Sequence, residues 1–158
     1  TIGDLRIVNL YVVTGQDVGT EKYDYKLRWL DALHGWLAQE IQAHPKLVVV
    51  GDFNIAPDDR DVHDPAVWND ASILTSTAER AALARLIALG LHDSYRLHHD
   101  EGGVFSWWDY RAAGFRRNLG LRIDLCLVSD ALKASCAGAS IDKRGVAASL
   151  RWGIGTRD

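Results

Sequence analysis

The sequence predicts an α/β fold, and three neighbouring stretches carry that prediction. Leu5-Arg6-Ile7-Val8-Asn9-Leu10-Tyr11 is rich in β-formers and ends before Thr14-Gly15, as a strand running into a loop does. From about Glu21 to His44, the residues Leu27, Leu30, Leu33, Leu37 and Ile41 recur at helical spacing, and Pro45 stops the last turn. Leu47-Val48-Val49-Val50 is a continuous apolar run of the kind a strand buried on both faces requires, and it ends in Gly51-Asp52-Phe53-Asn54. Strand, helix, strand is the alternation that builds α/β domains.

The remaining elements follow in order. Residues 55–77 hold Pro57 and Pro65 among many Asp and Asn residues with little periodicity, which predicts a long loop, functional or disordered as long loops inside compact domains are. A second helix is expected from Thr77, as its N-cap, to Leu89, with Ala82, Leu83, Leu86, Ile87 and Leu89 as the apolar stripe and Gly90 as the stop. Residues 105–110 form a short aromatic strand or turn, and residues 121–128 read as one strand with Asp124 in its interior. No repeat and no linker divides the chain.

Composition narrows the class. With 158 residues, 47% hydrophobic and 25% charged, the chain has the make-up of one globular domain, which argues against disorder, collagen and coiled coil. It lacks an apolar run of about 18 residues, so it reads as soluble and non-membrane. Thr1-Ile2-Gly3-Asp4 has neither an initiator Met nor a secretory pattern, so the chain is expected to start inside a longer gene product. Cys126 and Cys136 make no disulfide framework, which fits a reducing compartment. Most of the six Trp are expected in the core, with one or two at a binding face. The net charge of -3 hides a division: residues 1–110 balance at -8 and residues 111–158 at +5. An acidic part can supply metal ligands and acid/base groups, and a basic part can neutralise phosphates; differing solvated faces would give the same split.

Three constellations can carry chemistry. In Gly51-Asp52-Phe53-Asn54 a buried strand would deliver Asp52 and Asn54 on one face at its C-terminal end, where they could hold a divalent cation and handle a proton; a plain turn after a strand is the alternative. Asp124 sits in an apolar run, so a histidine, a metal or an arginine should hold it, and a structural pair with an arginine such as Arg122 serves equally. Phe105-Ser106-Trp107-Trp108-Asp109-Tyr110-Arg111, with Phe115-Arg116-Arg117-Asn118 and Gly120-Leu121-Arg122, interleaves aromatic surface with positive charge. Nucleic acid binding asks for that composition, and an aromatic core segment with an exposed basic loop also has it. The histidines show no metal-ligand spacing, and His98-His99 read as surface residues.

Asn9-Leu10-Tyr11, Lys22-Tyr23, Gly51-Asp52-Phe53-Asn54-Ile55-Ala56-Pro57, Asp61-Val62, Glu79-Arg80, Gly90-Leu91-His92-Asp93, Ser106-Trp107-Trp108-Asp109-Tyr110-Arg111, Asn118 and Gly120-Leu121-Arg122-Ile123-Asp124 occur in the order of the exodeoxyribonuclease III family. The chain resembles that family over roughly residues 5–143, and it is the bacterial branch of a superfamily that includes apurinic endonucleases. Gly-Asp-x-Asn alone is shared with phosphoinositide phosphatases; the Ser-Trp-Trp-Asp-Tyr-Arg stretch followed by Asn-x-Gly-x-Arg-Ile-Asp is much more specific to the DNA-repair branch.

The resemblance implies a partial four-layer α/β sandwich of the DNase I-like type, two mixed sheets face to face with helices outside. It also implies a phosphodiesterase dependent on Mg2+, with Mn2+ as the alternative, acting on 3′ ends of duplex DNA and beside abasic sites in the bacterial cytoplasm. By position, Asp52 would handle the proton and, with Asn54, hold the metal, while Asn54 also steadies the phosphate. Tyr11 would contact the scissile phosphate, Asp124 would orient a catalytic histidine, and Trp107 would line the pocket for the flipped sugar. Lys22, Asn118, Arg111 and Arg122 would hold flanking DNA phosphates.

The departures shape the expectation for this chain. The family's N-terminal half, with a metal-binding Glu and an active-site Asn, has no counterpart here, and neither has its final Ser-Asp-His strand; no His follows His99. Thr14 stands where the family carries an amide side chain. Residues 1–143 are therefore expected to be an incomplete domain, residues 144–158 a divergent tail, and the isolated chain an impaired enzyme. A non-catalytic nucleic-acid-binding remnant and a related phosphoinositide phosphatase are the other readings.

Overall fold

In a computed structural model, which describes residues 1–143, strand β1 (Arg6–Tyr11) leads through a loop into helix α1 (Glu21–Ala43) and back into strand β2 (Leu47–Asp52). Thr20 caps α1 by accepting from the Tyr23 backbone N–H, and His44 and Pro45 end it. A long segment with one 3-10 turn (Asp59–Asp61) then reaches helix α2 (Thr77–Ile87) and strand β3 (Leu91–Asp93). The short strands β4 (Trp107–Trp108) and β5 (Gly120–Leu121) precede β6 (Asp124–Ser129), and one helical turn, α3 (Asp130–Lys133), follows. The tail predicted over residues 144–158 lies outside the described residues.

The main sheet is mixed, in the order β1-β2-β6-β3: β1 runs parallel to β2, and β6 is antiparallel to both of its neighbours. β4 and β5 form a separate antiparallel ribbon. Leu30 and Leu37 of α1 and Leu83 and Leu86 of α2 close on Leu47, Val49, Leu91, Leu125 and Leu127, so both helices back one face of the sheet. Fully burying each such aliphatic side chain stabilises the fold by roughly 1.5–3 kcal/mol. One helical layer and one mixed sheet are thus in place among the described residues, two of the four layers of the predicted sandwich.

Four expectations need correction. β2 is buried on one face only: Leu47 and Val49 are fully buried, but Val48 and Val50 are half-buried, because among the described residues no helix covers the second face, where Ile7 is 41% exposed. The cap of α2 is Ser76 and not Thr77; Ser76 Oγ accepts from the Glu79 N–H while the Glu79 carboxylate takes the Ser76 N–H, a reciprocal capping box. The strand predicted over 121–128 is two strands, with Arg122 and Ile123 crossing between the ribbon and the main sheet. Of the five described Trp only Trp108 is buried; Trp29 and Trp68 sit at the margins of the clusters, and Trp36 and Trp107 reach solvent.

Candidate active site

The site grows from the end of β2. Gly51 lies at φ +140°, and a Cβ there would sit 1.9 Å from the Leu10 carbonyl oxygen of the neighbouring strand, so only glycine lets β1 and β2 stay paired to their ends. Asp52 follows as the last strand residue. Register then aligns Tyr11 with Asp52 on one side and Asp124 with Asp52 on the other, giving a row of three side chains across β1, β2 and β6. Directly opposed residues in an antiparallel pair have Cβ atoms about 4.5–5.5 Å apart, so the two carboxylates are neighbours on the uncovered face.

Asn54 does not extend the alternation of β2. The strand stops at Asp52, and Asn54 adopts a left-handed conformation at φ +49° with its side chain turned inward, 5% exposed. Its N–H donates to Asp52 Oδ1 at 2.8 Å, and its Nδ2 donates to the Val12 carbonyl at 2.7 Å. Asp52 and Asn54 are therefore brought together by the turn rather than by a shared strand face. Phe53, fully buried, anchors the turn, and its N–H bonds to the Ile123 carbonyl.

Burial pushes the Asp52 carboxyl above the ordinary carboxylate range; the Asn54 N–H draws it back, the Asp124 charge raises it and the Lys26 charge lowers it. Burial likewise raises Asp124, against a hydrogen bond from Ser106. Asp124 is not inside a strand, as the sequence suggested, but opens β6 on the exposed side of the sheet. No described histidine bonds to it; its partners are Ser106, whose Oγ accepts from the Ile123 and Asp124 N–H groups at 3.0 Å each, and the neighbouring Asp52. Ser106 also tethers the aromatic segment to the row, and a cavity of about 500 Å³ opens beside Ser106, Asp124 and Cys126. Tyr11, 61% exposed, shares a 3.2 Å hydrogen bond with Thr14 Oγ1.

The predicted flanking residues divide into accessible and committed groups. Lys22 is exposed in the first turn of α1, and Trp107 is partly exposed opposite Leu121 in the ribbon. Arg111 is exposed, with its guanidinium on Asp109 and beside the Tyr110 ring. The carboxamide of Asn118 is engaged on both sides: Oδ1 accepts from Trp108 Nε1 at 3.2 Å, and Nδ2 donates to the Gly103 carbonyl at 3.2 Å. Arg122 is a correction. Its side chain is 1% exposed, with Nε on Asp61 Oδ1 at 2.6 Å and Nη2 on Asp93 Oδ2 at 2.7 Å, so it faces the interior and not a DNA phosphate. Arg96 joins the same cluster through Asp61. His99 is likewise no simple surface residue: it stacks on Tyr95 at 4.4 Å and bonds the Ala139 carbonyl, while His98 is exposed and bonds the Cys136 carbonyl.

One site neighbour escaped the sequence reading. Lys26 lies among the buried stripe of α1 with Tyr23, Leu30 and Leu37, fully buried against Glu79, and it donates to the Asn54 carbonyl at 2.6 Å. A lysine at a stripe position of an amphipathic helix is the signal that could have found it.

For a divalent cation the chain offers hard oxygen donors: the two carboxylates of Asp52 and Asp124, which repel each other, and Asn54 Oδ1, which has no hydrogen-bond partner among the described residues. That donor chemistry fits Mg2+ or Mn2+. Three or more His, Cys, Asp or Glu side chains do not cluster around a metal position among the described residues, so these groups would form part of a coordination shell rather than close it. No described helix is long and apolar enough to cross a membrane.

Comparison with known proteins agrees with this geometry. The exodeoxyribonuclease of Bacillus subtilis is 36% identical over 143 residues, which cover 87% of this chain and 56% of that protein. A 3′ phosphatase from Neisseria, solved bound to a product DNA hairpin, superposes with a TM-score of 0.82 at 45% identity over 85% of this chain and 52% of that one. An AP endonuclease from Archaeoglobus fulgidus superposes with a TM-score of 0.73 at 30% identity, covering 81% of this chain and 50% of its own. The chain spans about half the length of the relatives it matches. The sequence profile of the endonuclease/exonuclease/phosphatase family matches residues 2–151, and with a mixed sheet that ends in the Asp52 turn, the chain belongs to that family.

Proposed function

We propose that this chain supplies one side of the active site of a divalent-cation-dependent phosphodiesterase that acts on duplex DNA, removing nucleotides or blocking groups from 3′ ends and incising beside abasic sites. The observation that carries the reading is the Tyr11, Asp52, Asp124 row with Asn54 hydrogen-bonded to its middle member. In-line attack of water on phosphorus needs a group to accept or return a proton and donors to absorb charge on the phosphoryl oxygens. Asp52, whose proton is held more tightly than an ordinary carboxylate's, handles the proton. Tyr11 hydroxyl donates to a non-bridging oxygen, and Asn54 steadies the phosphate. Mg2+, or Mn2+ in its place, held by Asp52 and Asn54, would neutralise developing negative charge. Trp107 offers a face for an unstacked base or sugar, and Lys22 and Arg111 are accessible cations for flanking phosphates. The names of the relatives as exodeoxyribonuclease, 3′ phosphatase and AP endonuclease support this substrate class. Such a substrate lies in the bacterial cytoplasm, with the chromosome.

The test adds the part of the Bacillus relative that this chain does not cover, as a separate polypeptide, and assays Mg2+-dependent cleavage of a labelled duplex carrying an abasic site or a recessed 3′ end. Cleavage at a rate approaching the intact relative's is expected only with both pieces and is lost in Asp52→Asn; this chain alone nicks far more slowly. Binding of the duplex without cleavage in any mixture would favour the non-catalytic remnant. Hydrolysis of an inositol phosphate in preference to DNA would favour the phosphatase reading.

A further inference from the structure

The buried Lys26–Glu79 pair asks for an explanation that stability does not provide. Both side chains are 0% exposed, and two charges taken out of water are commonly no more stabilising than apolar residues of the same volume. The surroundings show what the charges hold. The Glu79 carboxylate accepts from the Leu74 N–H at 3.1 Å, the Ser76 N–H at 3.2 Å and Ser76 Oγ at 2.6 Å, so it is fixed by the start of α2. Tyr23 locks Ser76 with a 2.7 Å hydroxyl contact. The Lys26 ammonium, anchored on this carboxylate, spends another proton on the Asn54 carbonyl. The Lys26 stem also runs under the loop after β1, where a Cβ on Gly15 would touch its Cδ at 3.4 Å.

Asn54 is thereby pinned three times: its carbonyl on Lys26, its N–H on Asp52 and its carboxamide nitrogen on Val12. It needs the pins, because a non-glycine residue at φ +49° sits in a sparsely populated region that persists only when the surroundings enforce it. An apolar residue at position 26 would leave the Asn54 carbonyl without a partner in a pocket where the residue is 5% exposed.

We infer that Lys26, held by Glu79, is a positioning residue: it fixes the Asn54 peptide so that the carboxamide oxygen stays free at the Asp52 edge of the site. The functional weight of this inference rests on the reading of Asn54 as a cation and phosphate ligand, and the test separates the two. In the 15N-labelled chain, Lys26→Met/Glu79→Gln removes the ammonium and its counter-charge together and leaves no lone buried ion. In the unsubstituted chain the Asn54 side-chain amide pair is expected at dispersed shifts with slow exchange. In the double variant it moves to solvent-averaged shifts, while the amides of Leu30, Leu37 and Leu127 stay in place. Mn2+, titrated as the probe, broadens the Asn54 pair in the unsubstituted chain and needs about tenfold more metal to do so in the variant. Unchanged Asn54 signals in the double variant would overturn the inference, and so would loss of the whole dispersed spectrum, which would make the pair a folding element. Absence of Mn2+ broadening in the unsubstituted chain would instead overturn the cation reading of the site, with the Asn54 shifts still deciding the role of Lys26.

Discussion

Replacing Arg122 by glutamine should destabilise the fold far more than a surface arginine replacement does. The guanidinium is 1% exposed and makes three side-chain bonds, to Asp61 at 2.6 Å and to Asp93 at 3.2 and 2.7 Å, while lying 5.1 Å from the centre of the Tyr95 ring. Asp61 is itself 0% exposed and would keep only Arg96 and the Asp58 N–H; Asp93 would lose its cation altogether. Breaking a buried pair by removing one partner costs about 3–5 kcal/mol, since a desolvated charge is left behind. Against a total stability of about 5–15 kcal/mol that is about a fifth or more, and at about 2–4 °C per kcal/mol it lowers the melting midpoint by about 6–20 °C. Urea unfolding at pH 7, followed by far-UV circular dichroism, reads the change directly, with exposed Arg117→Gln as a control expected within about 0.5 kcal/mol. A loss under 1 kcal/mol together with weakened duplex binding would refute the reasoning and return Arg122 to the DNA-facing role that its sequence position suggested.

Other changes follow from the same geometry. Gly51→Ala places a methyl group 1.9 Å from the Leu10 carbonyl oxygen, so β1 and β2 must separate at their ends; a loss of about 3 kcal/mol or more and of Mn2+ broadening at Asn54 is expected by denaturation and NMR. Asp52 and Asp124 are both raised by burial, so the fold favours their protonated forms. Their contribution to stability is full below the ordinary carboxylate pKa and is lost as pH rises through the raised values. Asp52→Asn and Asp124→Asn are therefore expected to raise the melting midpoint by about 2–4 °C at pH 7 and to leave it unchanged near pH 3, with solvent screening holding the gain small. A lower midpoint at pH 7 would contradict the burial of these groups.

The sequence carried the frame of the fold because local signals and tertiary packing agree there. The stripe Leu30, Leu33, Leu37, Ile41 faces the sheet, and the Val48 run is the strand it covers. Agreement broke where a long-range partner decided the outcome. Reading residues 121–128 as one strand puts Arg122 and Asp124 on the same face; the crossing at residues 122 and 123 instead sends the guanidinium inward to Asp61 and Asp93, 61 and 29 positions away, and leaves Asp124 outside. The site residues Asp52 and Asn54 were visible in Gly51-Asp52-Phe53-Asn54, but not the left-handed turn that joins them, since φ at Asn54 is enforced by Lys26 and Val12 from other elements. Glu79 stood in the sequence only within the Glu79-Arg80 match; its place in the capping box with Ser76 and its second task as the anchor of Lys26 appear once α1 and α2 meet.

The central claim is that the Asp52 row handles a phosphodiester. Its most direct measurement is the rate of Mg2+-dependent hydrolysis of a 3′-end-labelled duplex by this chain together with the complementary piece of the Bacillus relative. The account predicts cleavage that falls at least a hundredfold in Asp52→Asn, the low end of general acid–base contributions, while the fold stays intact. Cleavage of equal rate in the Asp52→Asn mixture would contradict it.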